Sequence, residues 1–191
     1  MTKIAIFASG TGSNYDAIVE ATKNGRLDAV VALLVCDKPN AKVVEKANEN
    51  GTPTFVFDPK QYRNKQMFEA KLVEVLQEET IDWIVLAGYM RLIGDTLLQP
   101  FEGKIINIHP SLLPSFPGLD AIGQAFEAGV KVSGVTIHYV DEGMDTGKII
   151  AQQAVNLNEN MTRAELQKAI QQVEHKLYPA TLQKLITRGG E

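Results

Sequence analysis

Short runs of apolar residues alternate with amphipathic segments over the first hundred positions of the chain. The runs are too short for most helices and end at glycine, proline or polar residues, which is typical of buried strands. They predict strands at residues 4–8, 29–35, 54–57, 83–87 and 104–108. Between the runs, apolar side chains recur at helical spacing, as at Phe68, Leu72 and Leu76. This spacing predicts helices at residues 14–23, 41–50 and 65–79.

The pattern changes in the second half of the chain. Two further apolar runs, at residues 134–140 and 149–155, are separated only by a loop, so they predict antiparallel strands. Helices are expected at residues 121–128 and 162–186, the second broken or kinked near Pro179. We therefore expect an α/β fold: a Rossmann-like, mostly parallel sheet of about seven strands, with helices on both faces and an antiparallel edge near its C-terminal end.

The composition narrows the class of protein. The chain has 191 residues, 45% of them apolar, which suffices for a single domain over residues 1–191 with a well-buried core. Lysine and arginine number 19 against 23 aspartate and glutamate, so the net charge of −4 argues against a nucleic-acid binder but not against a small anionic substrate. The single cysteine, Cys36, excludes an internal disulfide and fits a reducing compartment such as the cytoplasm. We expect no membrane span and no signal peptide.

A glycine-rich loop, residues 9–14, leads from the first predicted strand into a helix. Glycines let a backbone turn tightly, and the free amides at a helix N-terminus favour an anion such as phosphate. Ser13 or Asn14 is suited to cap this helix. The dinucleotide fingerprint needs a third glycine where Tyr15 stands, although Asp37 after the second strand keeps a nucleotide interpretation open. A terminal monophosphate fits better, and a plain glycine turn is the alternative.

Asn107 and His109 carry the strongest chemical signal. They stand two positions apart at the carboxyl end of a predicted strand, so both side chains point to one face, at the edge where such sheets bind ligands. Ile106 and Ile108 face the other way and are typical of a core. An amide and an imidazole directed at one point can stabilise the oxyanion of an acyl-transfer intermediate. A lone histidine at a strand end is often structural, but an asparagine on the same face favours a site.

The acidic loop at residues 141–147 is a second candidate. By itself it is typical of a solvated acidic turn. If the loop folds over the strand end, Asp141 or Asp145 can meet His109, and a carboxylate beside an imidazole favours the cationic ring of a general acid or base. The spacing does not say which aspartate does so.

Other reactive side chains give weaker signals. His138 alternates with apolar residues in a predicted strand, which favours packing over catalysis, and His175 lies in the last predicted helix. No set of histidine, cysteine and carboxylate residues has metal-ligand spacing, so no metal is expected. No Gly-x-Ser-x-Gly turn is present and Cys36 has no obvious partner, so we expect no covalent acyl-enzyme.

Several segments together resemble the formyltransferases that use 10-formyltetrahydrofolate. The segments that carry the resemblance are Asn-Ile-His-Pro-Ser-Leu-Leu-Pro at 107–114, Pro-Gly at 117–118 and Asp-Glu-Gly-Met-Asp-Thr-Gly at 141–147. Ser-Gly-Thr-Gly-Ser-Asn at 9–14 and Ala-Gly-Tyr-Met-Arg-Leu at 87–92 are similar to members that act on a phosphoribosyl amine. The resemblance extends from Lys3 to about Pro179.

The resemblance implies an activity and a set of site residues. The activity is transfer of the formyl group of 10-formyltetrahydrofolate, a co-substrate, to the amine of 5-phosphoribosylglycinamide in de novo purine synthesis, without a metal. The implied residues are Asn107, His109 and Asp145 for catalysis; Gly12, Ser13 and Asn14 for the phosphate; Glu174 for the glycinamide substrate; and Lys65, Met90, Arg91, Leu92, Ile93 and Asn107 for the folate. The nucleotide phosphate would bind in about residues 1–100, and the folate and catalytic site would lie in about residues 101–191.

Two positions depart from the family pattern. Lys65 stands where some members have an arginine that meets the folate, and a lysine holds a carboxylate as a point charge rather than a fork, with Arg63 nearby. Lys148 follows Asp-Thr-Gly where proline is commoner.

Two alternatives to this activity remain. One is another enzyme that uses 10-formyltetrahydrofolate, a deformylase or a formyltransferase of a different amine. The relatives that formylate tRNA or hydrolyse the folate carry a further domain, which we do not expect in this protein, and the charge of the chain disfavours tRNA. The other is a non-enzymatic nucleotide-binding module. We expect small-molecule substrates, no nucleic-acid or membrane partner, and a monomer or homodimer.

Overall fold

A computed structural model describes residues 1–188 of the chain, which form a seven-stranded sheet flanked by helices. The strands are β1 (Thr2–Phe7), β2 (Ala29–Cys36), β3 (Thr54–Val56), β4 (Trp83–Leu86), β5 (Ile105–His109), β6 (Val132–Tyr139) and β7 (Ile149–Asn156). The helices are α1 (Ser13–Lys23), α2 (Lys42–Glu49), α3 (Lys65–Glu78), α4 (Asp95–Leu98), α5 (Ala121–Ala128) and α6 (Arg163–Arg188). Short 3-10 turns lie at Pro59–Gln61 and Gln99–Phe101.

The strand order is β3-β2-β1-β4-β5-β6-β7. The first five strands in chain order are parallel, β6 runs antiparallel to β5, and β7 runs antiparallel to β6. The predicted fold class, with its antiparallel C-terminal edge, is therefore confirmed. The order reverses between β1 and β4, so the loops that follow these two strands diverge and open a crevice at the carboxyl edge of the sheet.

Each face of the sheet buries its own apolar core. One core joins the sheet to α1, α2 and α6 and includes Ile106, Ile108 and Tyr178. The other joins it to α3 and α4 and includes Leu86 and Phe68. Since side chains alternate along a strand, Asn107 and His109 of β5 lie on the α3–α4 face, at the strand's carboxyl end.

The helices depart from expectation in two places. Pro179 does not break α6, which runs as one helix from Arg163 to Arg188. Tyr178 and Leu182 on either side are fully buried, and such packing holds a helix across a missing N–H. The four-residue helix α4 was not predicted, because it is too short to show a helical period. Among residues 1–188, no helix is both long and apolar enough to cross a membrane.

Candidate active site

A cleft of about 740 Å³ opens at the carboxyl ends of β4 and β5. Its walls come from the loops after these strands, the start of α5, the loop between β6 and β7, and one side of α6. The predicted site residues that line it are Asn14, Met90, Arg91, Leu92, Ile93, Asn107, His109, Asp145 and Glu174. Gly12, Ser13 and Lys65 lie outside this lining. The fold thus gathers residues from both ends of the chain around one cavity.

His109 is buried, and each of its ring nitrogens faces a different group. Nε2 lies 2.8 Å from the main-chain oxygen of Phe116. A carbonyl oxygen can only accept a hydrogen bond, so Nε2 carries the hydrogen. Nδ1 is then the nitrogen that faces Asp145, whose Oδ2 lies 3.5 Å away. Phe116 therefore orients the ring, and Nδ1 is left for proton exchange.

Asp145 lies in the loop between β6 and β7 and reaches back over the end of β5. Its Oδ2 accepts a hydrogen bond from the backbone N–H of Gly118 at 2.8 Å. Its Oδ1 lies 3.7 Å from Nε2 of His138, so the carboxylate sits between two imidazoles. The side chain is nearly buried, which strengthens its electrostatic effect on both rings.

Asp141 stays within its own loop. Its Oδ1 accepts hydrogen bonds from the backbone N–H of Gly143 at 3.0 Å and from the Thr146 hydroxyl at 2.6 Å. The spacing left open which of the two aspartates meets His109, and the structure places Asp145 there.

The sequence pattern favours a packing role for His138, yet the side chain lines the cleft beside Asn107. Its Nε2 lies 3.3 Å from Nδ2 of Asn107, and its Nδ1 lies 2.8 Å from the main-chain oxygen of Tyr139. Burial lowers the pKa of His138 below its ordinary value, against the opposing effects of the Tyr139 carbonyl and Asp145. The ring is therefore neutral near pH 7. Its place depends on the register of β6 against β5, in which His138 pairs with Asn107.

Glu174 on α6 forms a second polar group in the cleft. It is 7% exposed, and its Oε2 accepts a hydrogen bond from Nδ2 of Asn14 at 3.4 Å. Burial raises the pKa of Glu174 to about 7, although the Asn14 hydrogen bond lowers it in part. Asn14 Oδ1 is buried without a hydrogen-bond partner among residues 1–188. Two acceptor groups therefore line this part of the cleft and can receive the N–H or O–H groups of a ligand.

The glycine loop enters α1 in a way that differs from the prediction. The residue that caps the helix is Gly12, with φ of 77° and no side-chain hydrogen bond, rather than Ser13 or Asn14. A Cβ at Gly12 would lie 2.6 Å from Cγ2 of Val43, so only glycine lets the loop pack against α2 in this left-handed conformation. The first amides of α1 have no partners within the helix and remain available to an anion.

The loop after β4 is tied to the end of β1 by a buried carboxylate. Asp37 accepts hydrogen bonds from the Ser9 hydroxyl at 2.5 Å and from Nε of Arg91 at 2.7 Å. Ser9 Oγ in turn accepts the backbone N–H of Met90 at 3.0 Å, and the Arg91 guanidinium lies 5.9 Å from the ring centre of Phe68. Both the Asp37 carboxylate and the Arg91 guanidinium therefore bind protein groups and fix the loop that lines the cleft.

Lys65, predicted to bind the folate, begins α3 and pairs with a different group. Its ammonium lies 3.9 Å from Oε1 of Glu69. Glu69 is almost fully buried and accepts the backbone N–H groups of Gly94 and Leu97 at the start of α4. The structure thus places Lys65 beside the Glu69 carboxylate, which holds the start of α4 in place.

The cleft combines an amide donor, an imidazole and a carboxylate within reach of one another. Donors preorganised around one point stabilise an oxyanion, and an imidazole beside a carboxylate exchanges protons. Within residues 1–188, no three histidine, cysteine or carboxylate side chains are grouped so as to hold a metal ion. Together, the amide, imidazole and carboxylate side chains of the cleft can stabilise an oxyanion and move a proton, which is chemistry that the transfer of an acyl-type group uses.

Comparison with known proteins gives the class. Residues 2–182 match the Formyl transferase family, and the chain belongs to it, so the predicted family is confirmed. The chain is 58% identical over 186 residues to phosphoribosylglycinamide formyltransferase of Bacillus subtilis (strain 168), covering 97% of this chain and 95% of that protein. The crystal structure of phosphoribosylglycinamide formyltransferase from Bacillus halodurans matches it with a TM-score of 0.95 at 57% identity, over 98% of this chain and 97% of that one. The chain is also 41% identical to the trifunctional purine biosynthetic protein adenosine-3 of Homo sapiens, over 95% of this chain and 18% of that protein.

Proposed function

We propose that this chain transfers the formyl group of 10-formyltetrahydrofolate to the amine of 5-phosphoribosylglycinamide, a step of de novo purine synthesis. The convergence of Asn107, His109 and Asp145 in one cleft carries the proposal, since these groups match the charge changes of formyl transfer. The similarity to the Bacillus subtilis enzyme along nearly the whole length of both chains supports the choice of substrates.

The reaction is a direct attack of the amine on the formyl carbon. A C–N bond forms, and the carbonyl electron pair moves onto the formyl oxygen. An N–H of Asn107, which is neutral at every working pH, donates to this oxygen and lowers the barrier. Nδ1 of His109 adds a second donor only while it carries a hydrogen, because Nε2 already donates to the Phe116 carbonyl. The bond from the formyl carbon to the folate nitrogen then breaks, so that no formyl-enzyme forms.

The amine must lose a proton, and the leaving folate nitrogen must gain one. Nδ1 of His109 and Oδ2 of Asp145 are 3.5 Å apart and face the same cleft. This pair takes the proton from the amine and returns it to the folate nitrogen. The Phe116 carbonyl on Nε2 and the Gly118 N–H on Asp145 hold the two groups in place during the exchange.

The ribonucleotide lies along the side of the cleft formed by α1 and α6. Its phosphate accepts hydrogen bonds from the free backbone N–H groups of Gly12, Ser13 and Asn14 at the start of α1. Glu174 and the unpartnered Oδ1 of Asn14 accept N–H or O–H groups of the glycinamide ribonucleotide. Residues 1–100 thus supply the phosphate site, while Glu174 reaches in from the C-terminal half.

The folate lies against the opposite wall, where apolar side chains are unusually exposed. Met90, Leu92 and Met144 are each at least half exposed at the rim of the cleft, where a flat ring system would cover them. Arg91 and Ile93 complete this wall. The contact of Lys65 with a folate carboxylate stays a prediction, which needs the lysine to turn away from Glu69. We also propose that the enzyme is cytoplasmic, since a chain with a single cysteine, here a buried free thiol, fits a reducing compartment.

The test is product formation by the purified protein with both substrates. We expect formylated ribonucleotide and tetrahydrofolate in equal amounts, with full activity after exhaustive chelation. Asn107→Ala lowers kcat roughly 10²–10³-fold, whereas Asn158→Ala, at an exposed loop position, does not change it. Formate release without the ribonucleotide would identify a deformylase. Ribonucleotide binding without turnover would identify a binding module, and a trapped formyl-protein would contradict direct attack.

A further inference from the structure

The proposed function requires one particular orientation of the Asn107 amide, and the present inference rests on that function. An asparagine side chain ends in an N–H donor and a C=O acceptor of nearly equal shape, so a neighbour must decide which of them faces the substrate. A donor stabilises a developing oxyanion, whereas a carbonyl oxygen in the same place repels it. The neighbour of Asn107 across the sheet is His138, whose Nε2 lies 3.3 Å from Nδ2 of Asn107.

The other nitrogen of His138 settles what Nε2 can do. Nδ1 lies 2.8 Å from the main-chain oxygen of Tyr139, which can only accept, so Nδ1 carries the hydrogen. In a neutral imidazole, Nε2 then has a lone pair and can only accept. The Asn107 oxygen cannot face this lone pair without repulsion. The amide must therefore turn its N–H side towards His138, as the structure has it.

The Asn107 amide keeps this orientation as long as the His138 ring is neutral. The side chain is 3% exposed, and burial disfavours a charged ring. The charged and titratable groups that face it are Asp145, His109 and Asp141, and the two carboxylates oppose the effects of burial and of His109. Asp145 Oδ1 is 3.7 Å from Nε2, too far for a hydrogen bond that would hold a proton on that nitrogen.

We infer that His138, as the neutral tautomer with hydrogen on Nδ1, is a positioning residue that accepts one N–H of Asn107 and thereby directs the second N–H into the cleft. His138 touches no reacting atom in this role. Without it, the Asn107 amide rotates and presents its oxygen to the formyl oxygen for part of the time. The loss appears in the rate of formyl transfer rather than in the binding of the ribonucleotide, which is held by α1 and α6.

Two substitutions at this position separate the hydrogen bond from packing. His138→Leu removes the acceptor with little change in size, whereas His138→Gln offers an amide oxygen near the place of Nε2. We expect His138→Leu to lower kcat roughly 10- to 10²-fold, less than complete removal of an oxyanion donor, with the ribonucleotide KM unchanged. His138→Gln should lower kcat less. In an Asn107→Ala background, His138→Leu should have no further effect, because the group that it positions is gone.

A spectrum of the wild-type protein tests the tautomer without any assay of activity. In protein labelled with ¹⁵N at histidine, and assigned by the signals lost in His138→Gln, we expect at pH 7 a hydrogen on Nδ1 of His138 and none on Nε2. A hydrogen on Nε2, or an equal kcat loss from His138→Leu with and without Asn107, would overturn the inference. If Asn107→Ala leaves kcat unchanged, the proposed role of Asn107 has failed instead. If His138→Leu does not fold, the spectrum of the wild-type protein still tests the tautomer of His138 and can still overturn the inference.

Discussion

Glu174 makes part of the stability of the protein depend on pH. Burial raises the pKa of this carboxyl from 4.5 to about 7 in the folded protein, whereas the unfolded chain exposes it to water. Between these two pH values the folded state therefore binds a proton that the unfolded state has released. The stabilisation is fully present below about pH 4.5 and is lost as the pH rises through about 7.

The size of the effect follows from the two proton affinities. A tenfold difference in proton affinity is worth about 1.4 kcal/mol, so the rise of the pKa to about 7 corresponds to about 3 kcal/mol in total. Glu174→Gln stays neutral at every pH and keeps an oxygen for Nδ2 of Asn14. The free energy of unfolding of this variant, relative to wild type, should therefore increase by about 2–3 kcal/mol from pH 5 to pH 8.

Urea unfolding at a series of pH values measures this difference. The single tryptophan, Trp83, is buried at 7% exposure and reports the transition by fluorescence. Glu49→Gln, which removes an exposed carboxylate on α2, controls for the loss of one negative charge and should follow the wild-type pH dependence. Parallel pH curves for wild type and Glu174→Gln would refute the reasoning, since they would mean that Glu174 keeps its ordinary proton affinity in the folded state.

Two further substitutions test the catalytic pair and the glycine loop. Asp145→Asn removes the charge beside His109, so steady-state assays should show kcat lowered on the order of 10²-fold or more and a ribonucleotide KM close to wild type. Near-normal turnover with an unchanged pH–rate profile would show that Asp145 is only a loop residue. Gly12→Ala should raise the ribonucleotide KM and leave the folate KM nearly unchanged, because the new Cβ meets Val43 and shifts the first amides of α1. Gly25→Ala is the matched control, since Gly25 has a similar φ of 75° but open space around it. This substitution should cost only about 1 kcal/mol of stability. An equal change of the ribonucleotide KM in both variants would contradict a phosphate site at Gly12.

The class of fold follows from the sequence because its signals are local. A strand segment buried on both faces must be apolar along its length, as β4 and residues 4–7 of β1 are, and this is visible in a few adjacent residues. The close succession of β6 and β7 without a helix between them likewise indicates an antiparallel edge. The α4 helix gave no such signal, and Pro179 gave a misleading one, because packing of the neighbouring residues rather than local propensity holds α6 together.

The candidate site was predictable only as far as it lies within one element. Asn107 and His109 share a face because the side-chain period of a strand is two residues, which requires no knowledge of the rest of the chain. The role of His138 depends on the register between β5 and β6, and a slip of one residue would turn its ring to the other face of the sheet.

The remaining parts of the site were decided by tertiary structure. Asp145 reaches His109 only because its loop folds back over β5, and nothing in the spacing of the two aspartates distinguishes Asp145 from Asp141. Glu174 meets Asn14 across 160 residues of sequence. Its raised pKa comes from the burial that the packing of α6 imposes, and a pKa of this kind belongs to the environment of a side chain rather than to its type.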